Sequence, residues 1–444
     1  MRQHVPVTSR NSRDLMGLGL TALTKAAGSP LLDRLRLRTP LQRGVFHAGR
    51  TGYRALGAAT RTFTAVHRRS APERPAIATQ AGPFDLTPTD EQQLIRDVCR
   101  EFAAEQLRPA AAAAEVECAA PDGLLKQARA DLGIAGLSVP EPLGGSATER
   151  GAITGVLVAE ALANGDMGLA LACLAPSAVS TALVLWGDED QQATYLPAFA
   201  GDDPPAAALA ILEPGPLFDP FALLTSARRT VDGYVLDGVK SLVPRAAQAE
   251  LFVIAAKLDG RPALFVVESS TPGLTVAAEP AMGLRAASLA RVELYGVALP
   301  SGALLGDAAG YADCVRLSRL GWCALAVGTA QAVLDYVVPY VNSRVAFGEP
   351  VSHRQSVAFM VADIGIELEG MRLATYRAAS RAEQGRPFAR ETALARQLCA
   401  EYGMKIGSAG VQLLGGHGYV KEHPVERWYR DLRAISVLEG GVLI

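Results

Sequence analysis

Apolar residues along the chain keep three successive rhythms. From about residue 88 to 200 they recur at helical spacing, with Leu94, Val98, Phe102 and Glu105 on one face and Ala-rich text after them. Breaks at Pro140-Glu-Pro-Leu-Gly-Gly145 and Trp186-Gly187 divide this region into several helices. Its opening, Thr87-Pro-Thr-Asp90, predicts a helix start with Thr87 as the cap, Pro88 in the first position and Asp90 at the positive end of the dipole. From about 205 to 300 the period becomes two. Tyr234-Val-Leu follows an Asp232-Gly233 turn, two apolar runs from Leu251 and Ala263 flank Asp259-Gly260, and Arg291-Val-Glu-Leu-Tyr alternates. No helices lie between these strands, which argues against a doubly wound nucleotide fold. Beyond Gly310 the helical period returns. Val357, Val361, Ile364, Leu368 and Met371 form one stripe that needs a packing partner, and with 312–343 and 390–413 they predict a bundle. Pro339 should kink the first of these helices or mark its last turn.

The expected fold class is mainly α with a small β domain. A basic extension and linker over 1–83 precedes an N-terminal helical domain over 84–203, a middle antiparallel β domain over 204–305 and a C-terminal helical bundle over 306–444. Composition agrees, since 49% hydrophobic and 20% charged residues suit a globular rather than a disordered chain. A net charge of −2 gives the whole molecule no electrostatic reason to bind nucleic acid. The six cysteines have no CxxC spacing, which points to a reducing compartment, and the histidines form no metal-ligand motif, so no metal is expected. The first 72 residues differ, with twelve Arg and Lys25 against only Asp14 and Asp33. Their apolar run Leu15–Leu23 is too short to span a bilayer. The basic stretch Leu31–Arg38 suits peripheral contact with an anionic membrane, a transit peptide, or a solvated arm. Pro72, Pro75 and Gly82-Pro83 read as a linker.

The C-terminal motifs narrow the chemistry. Gln412-Leu-Leu-Gly-Gly-His-Gly-Tyr419, Pro424-Val-Glu-Arg-Trp-Tyr-Arg-Asp431 and Leu438-Glu-Gly440 resemble the signature of the acyl-CoA dehydrogenase family. Val139–Gly145, Leu212-Glu-Pro-Gly215, Leu236–Lys240, Thr271–Leu274, Met282–Arg285 and Arg344–Gly348 resemble further family motifs in the same order. The resemblance, over about residues 88 to 441, implies an FAD-dependent enzyme that oxidises a fatty acyl-CoA thioester to its trans-2-enoyl form. Glu439 then stands where the family's base stands, and Gly440 lets the thioester approach. The rival base position, directly before Arg319, holds Ser318. Arg319 matches a residue beside the acyl-CoA. Arg344 matches a ligand of the cofactor diphosphate and Phe347 a residue packed on the cofactor. Gln412, Gly415 and Gly416 match contacts to the adenosine part across a subunit boundary, which implies a homodimer or homotetramer. Relatives pass electrons to an electron-transfer flavoprotein. Leu169–Ser177 should border the acyl cavity, and its small apolar residues favour longer chains or are ordinary helix packing.

Several positions depart from the family pattern. Leu212 replaces a Thr, Phe218 a Ser that faces cofactor and substrate, Leu242 and Pro244 the Trp and Thr of a flavin-contacting strand, and Gly441 a Thr after Glu-Gly. Relatives continue into a further helix where this sequence stops at Ile444, so one bundle face should be covered by another polypeptide, by the basic segment, or by a longer form of the chain. Two functional readings follow: an acyl-CoA dehydrogenase using Glu439, or a noncatalytic family member serving as a structural subunit of a heteromeric complex. The expected location is a bacterial cytoplasm, with membrane association through the basic arm, or the mitochondrial matrix if that arm is a transit peptide.

Overall fold

The computed structural model describes Phe63, residues 71–78 and residues 86–442. Apart from Phe63 and residues 71–72, the basic arm, including Leu15–Leu23 and Leu31–Arg38, lies outside the described residues, as does the Gly82-Pro83 part of the linker.

The N-terminal helices are α1 (Asp90–Phe102), α2 (Arg108–Glu117), α3 (Asp122–Leu132), α4 (Ala152–Gly165), α5 (Met167–Trp186) and α6 (Glu189–Ala200). The first begins two residues later than expected. Thr89, not Thr87, is its cap, because the capping box needs a Gln or Glu three residues on, and Gln92 supplies it: Thr89 accepts from the Gln92 N–H at 3.2 Å and Gln92 returns the bond at 3.0 Å. The expected apolar face holds only at Phe102. Leu94 and Val98 are exposed, while Cys99 and Phe102 face the core. Residues 71–78, read as linker, instead run extended along the helices. Ala76 bonds Thr148 and Arg150 through its backbone, the Glu73 N–H donates to Gln192, and the Ala78 N–H donates to the Glu383 carbonyl.

The middle region is one eight-stranded sheet in which the chain segments run, across the sheet, Leu274–Ala278, Ala290–Pro300, Gly233–Val243, Ser226–Arg229, Leu251–Leu258, Arg261–Glu268 and Leu304–Leu305, with Ala207–Ala210 also on Leu251–Leu258. Its main strands are β1 (Ala207–Ala210), β2 (Ser226–Arg229), β3 (Gly233–Val243), β4 (Leu251–Leu258), β5 (Arg261–Glu268), β6 (Leu274–Ala278), β7 (Ala290–Pro300) and β8 (Leu304–Leu305). Most neighbours are antiparallel, as alternation predicts. The β4–β5 hairpin turns on Asp259-Gly260, both at positive φ, which matches the twist of the paired strands. Strands β1 and β2, however, pair with β4 in parallel, because the long loop after β1 returns the chain on the same side.

The C-terminal helices are α7 (Ala308–Ser343), α8 (Gln355–Glu383), α9 (Ala389–Leu413) and α10 (Val425–Leu432), with a short hairpin, β9 (Val345–Ala346) and β10 (Glu349–Pro350), after α7. Ile364, Leu368 and Met371 are buried as the stripe requires, and Pro339 falls near the end of α7. Helix α7 runs through the middle, packed against α4, α5, α8 and α9. A Cβ at Gly328 would lie 2.1 Å from the Glu160 carbonyl of α4, so this glycine sets how closely the two helices approach. Arg372 of α8 locks the same contact, bonding Glu160 at 2.9 Å and Gln331 of α7 at 2.7 Å.

Candidate active site

Glu439 lies on a tight turn, not on a frayed end. Its φ of 58° is left-handed, unusual for a side-chain-bearing residue, and Gly440 follows at φ 103°. At Gly440 a Cβ would sit 2.8 Å from Pro220 Cδ, so only glycine fits between the turn and the loop after β1. The Gly441 N–H donates to the Phe218 carbonyl at 3.0 Å, tying the turn to that loop. Two guanidinium groups hold the other side. Arg319 of α7 donates through Nη2 to the Glu439 carbonyl at 2.9 Å, and Arg396 of α9 donates to the carbonyls of Leu438 (2.5 Å), Glu439 (3.3 Å) and Gly440.

These cations grip the backbone, and among the described residues no cation forms an ion pair with the carboxylate itself. The Glu439 side chain is buried, and its Oε2 has no hydrogen-bond partner among the described residues. Ser318 and Trp322 of α7 stand beside the carboxylate. Loss of water pushes the carboxyl above the ordinary glutamate range, and Ser318, Arg396, Arg319 and Trp322 only temper that rise. Ser318, the residue at the alternative base position, therefore meets Glu439 at one place.

Beneath the turn, the loop after β1 is anchored by a buried ion pair. Lys240 donates to Glu213 at 2.8 Å and to the Ile211 carbonyl at 3.1 Å. Glu213 also accepts from the Leu224 and Thr225 N–H groups at 2.7 and 2.9 Å. Burial lowers the Lys240 pKa to about 8, with Glu213 opposing. Leu212 accepts from the Ser241 N–H at 2.9 Å, and the Leu242 N–H donates to Glu279 at 2.8 Å. Leu212 belongs to the main core, Leu242 packs on it and Pro244 is half-buried. Phe218 is wedged where the main core meets a second apolar cluster between helices and sheet.

The remaining predicted residues gather elsewhere. Arg344 precedes the β9–β10 hairpin and Phe347 sits in its turn, while Gln412, Gly415 and Gly416 lie at the end of α9; all are exposed. Tyr340 joins the two groups, bonding His417 at 2.8 Å through its hydroxyl and accepting the Arg344 N–H at its carbonyl. Arg319 and Arg344 stand 25 residues apart on one helix, roughly 38 Å at 1.5 Å per residue. Sequence reasoning missed Arg396 and the Lys240–Glu213 pair. A lone Arg in the apolar text Ala393-Leu-Ala-Arg-Gln-Leu-Cys399 was the available signal for the first.

Three consecutive family models match this chain: the N-terminal domain of acyl-CoA dehydrogenase at residues 89–203, the middle domain at 208–297 and the C-terminal domain at 312–441. The mitochondrial short/branched chain specific acyl-CoA dehydrogenase of Bos taurus is 34% identical over 382 residues, covering 82% of this chain and 86% of its own. Among solved structures, butyryl-CoA dehydrogenase from Megasphaera elsdenii superposes with a TM-score of 0.74 at 28% identity, over 80% of this chain and 96% of its own. PigA with FAD and proline gives 0.74 at 26% identity with the same coverage. With helix, sheet and helix in this order and an acidic turn between α7 and α9, the chain belongs to the acyl-CoA dehydrogenase family of oxidoreductases.

Proposed function

We propose that the protein oxidises an acyl-CoA thioester to its trans-2-enoyl form, with Glu439 taking the proton from the α carbon. The observation that carries this reading is the Glu439 carboxylate: buried, raised in pKa, and unpartnered at Oε2 on a turn pinned by two arginines. A thioester α proton is weakly acidic, so a dry carboxylate of raised pKa is the better matched base. Arg319 and Arg396 fix the turn through backbone carbonyls and leave the base unquenched. Neither the Glu439 nor the Gly440 N–H is bonded to a backbone carbonyl among the described residues, so the Glu439 N–H is the donor we assign to the developing enolate oxygen.

FAD, when bound, supplies the acceptor for the hydride leaving the β carbon. The donor set of this chain suits it unevenly. The Arg344 guanidinium has no side-chain partner among the described residues, Phe347 is 95% exposed, and a Cβ at Gly415 or Gly416 would meet nothing within 4 Å. These features suit a diphosphate and an aromatic nucleotide. Leu212, Leu242 and Pro244 offer the ring system apolar surface and few donors. Arg319, beside the Glu439 turn, and Arg344 stand roughly 38 Å apart along α7. We therefore assign Arg344, Phe347, Gln412, Gly415 and Gly416 to the cofactor of a second copy, making the functional unit a homodimer or a multiple of one. An electron-transfer flavoprotein is the acceptor in this reading.

The deciding experiment is the visible spectrum of purified protein, under anaerobic conditions, before and after a panel of acyl-CoAs. Bleaching of a bound flavin, lost in Glu439→Gln, is expected; that substitution should slow reduction about 10²–10⁴-fold while FAD stays bound. Phe218 favours a second reading, a noncatalytic subunit of a heteromeric complex, because its side chain occupies the seam where family members carry a small polar residue. A flavin that no acyl-CoA bleaches, in protein that co-purifies with a catalytic relative, would establish the second reading and defeat the first.

A further inference from the structure

A cavity with two arginines in an otherwise largely apolar lining, and without Glu439 in its wall, lies where α3, α5 and the end of α6 meet the segment leaving β3. It has a volume of about 70 Å³ and is lined by Arg129, Ile134, Cys173, Pro176, Phe199 and Arg245, among others. At roughly 10–15 Å³ per water by this measure, it has room for about five water-sized positions, the scale of one small oxyanion. Its mouth is at Gly133 and Gly201, both exposed, and Arg245 is part of its wall.

Arg245 is 3% exposed, yet no carboxylate bonds it among the described residues. Nη1 donates to the Ala172 carbonyl at 3.3 Å, and Nε has no partner among the described residues. The neighbouring cation makes the charge harder to bury: burial lowers the Arg245 pKa to about 10, and the like charge of Arg129 adds to the effect. Arg129 itself reaches Asp203 at 3.2 Å from the rim. The backbone is committed to this placement. Arg245 has φ 53°, Leu242 has φ 51°, and the Arg245 N–H is fixed by the Ala287 and Ser288 carbonyls. A buried guanidinium without a counter-ion is costly, and an oxyanion in the cavity, beside Arg245 and Arg129, removes the cost.

We propose that this cavity is a binding site for a small oxyanion of the phosphate or carboxylate class, held by Arg245 with Arg129 at its mouth. The site is separate from the Glu439 turn. Because Arg245 directly follows Pro244, occupancy also braces the end of β3.

The test uses the full chain and inorganic phosphate, with acetate as the carboxylate arm and sodium chloride at matched ionic strength as control. Phosphate or acetate should raise the unfolding midpoint of the wild type saturably, as ligand linkage requires, and chloride should not. Arg245→Met should abolish the saturable shift. In oxyanion-free buffer the same variant should be at least as stable as the wild type, because it removes a buried unpaired charge, so the two stabilities should cross as the oxyanion is added. Arg129→Gln, at a part-exposed position, should weaken binding about tenfold with the fold intact. Calorimetric titration of the wild type gives binding directly if Arg245→Met fails to fold. An equal midpoint shift in wild type and Arg245→Met, or no heat of binding from either anion, overturns the proposal; neither result bears on the Glu439 chemistry.

Discussion

Lys240 is buried with its ammonium between the Glu213 carboxylate and the Ile211 carbonyl, and both charges depend on each other. Burial acts against ionised Glu213, but Lys240 and the hydrogen bonds from Thr225 and Leu224 hold it below the ordinary range. Lys240→Met should cost about 3–5 kcal/mol in urea unfolding, since it strands a buried carboxylate. Adding Glu213→Leu should recover much of that loss. Glu439 has the opposite environment, a carboxylate kept from water with no cation bonded to it. As a base it must be ionised, so kcat/KM should rise with pH through a value above the usual glutamate range, and a profile flat down to the ordinary range would contradict its assigned role. The sign for stability is also fixed. A carboxyl raised in the folded state stabilises below its unfolded pKa, and that contribution is lost as pH rises through the folded value. Glu439→Gln should therefore be at least as stable as the wild type at neutral pH.

At the scale of single elements, Glu383 closes α8 and is 4% exposed, its Oε2 accepting from the Ile153 N–H at 3.0 Å. Burial raises its pKa from 4.5 to about 7, the Ile153 bond opposes, and a carboxylate in the last helical turn also faces the negative end of the dipole. Its stabilising contribution is complete below pH 4.5 and gone above about 7. Glu383→Gln should flatten the slope of unfolding free energy across that window, which chemical denaturation at several pH values measures. The helix and strand regions are legible in the sequence because their periods differ over long stretches. Their edges are not, as α1 shows: two Thr residues near its start look alike, and only the reciprocal Gln92 distinguishes them. Leu94 and Val98 have the right period but face outward, because Cys99 and Phe102 define the buried side. Arg396 escaped notice since its partners lie more than forty residues away in sequence.

For the whole molecule, the location of Glu439 follows from motif order, whereas its confinement comes from contacts among α7, α9 and the β1–β2 loop that no local pattern encodes. The dimeric reading has its own consequence. Glu439→Gln and Arg344→Ala proteins should each be inactive alone, the first lacking the base and the second weakened in FAD binding. Coexpressed with two different affinity tags, they should form mixed dimers with one intact site, and dimers purified through both tags in turn should recover activity. Failure of any mixture to exceed its parents would place both contact sets within one copy.

Helix α7 carries Arg319 on an early turn and delivers Arg344 at its end. Each added residue rotates whatever follows by about 100° and shifts it by about 1.5 Å. A one-residue insertion between the two arginines would thus swing the far grip out of phase with the near one, even with every side chain retained. The helix works as a notched ruler, whose length can change only in near-whole turns, and that arithmetic constrains how this enzyme can be lengthened, shortened or spliced.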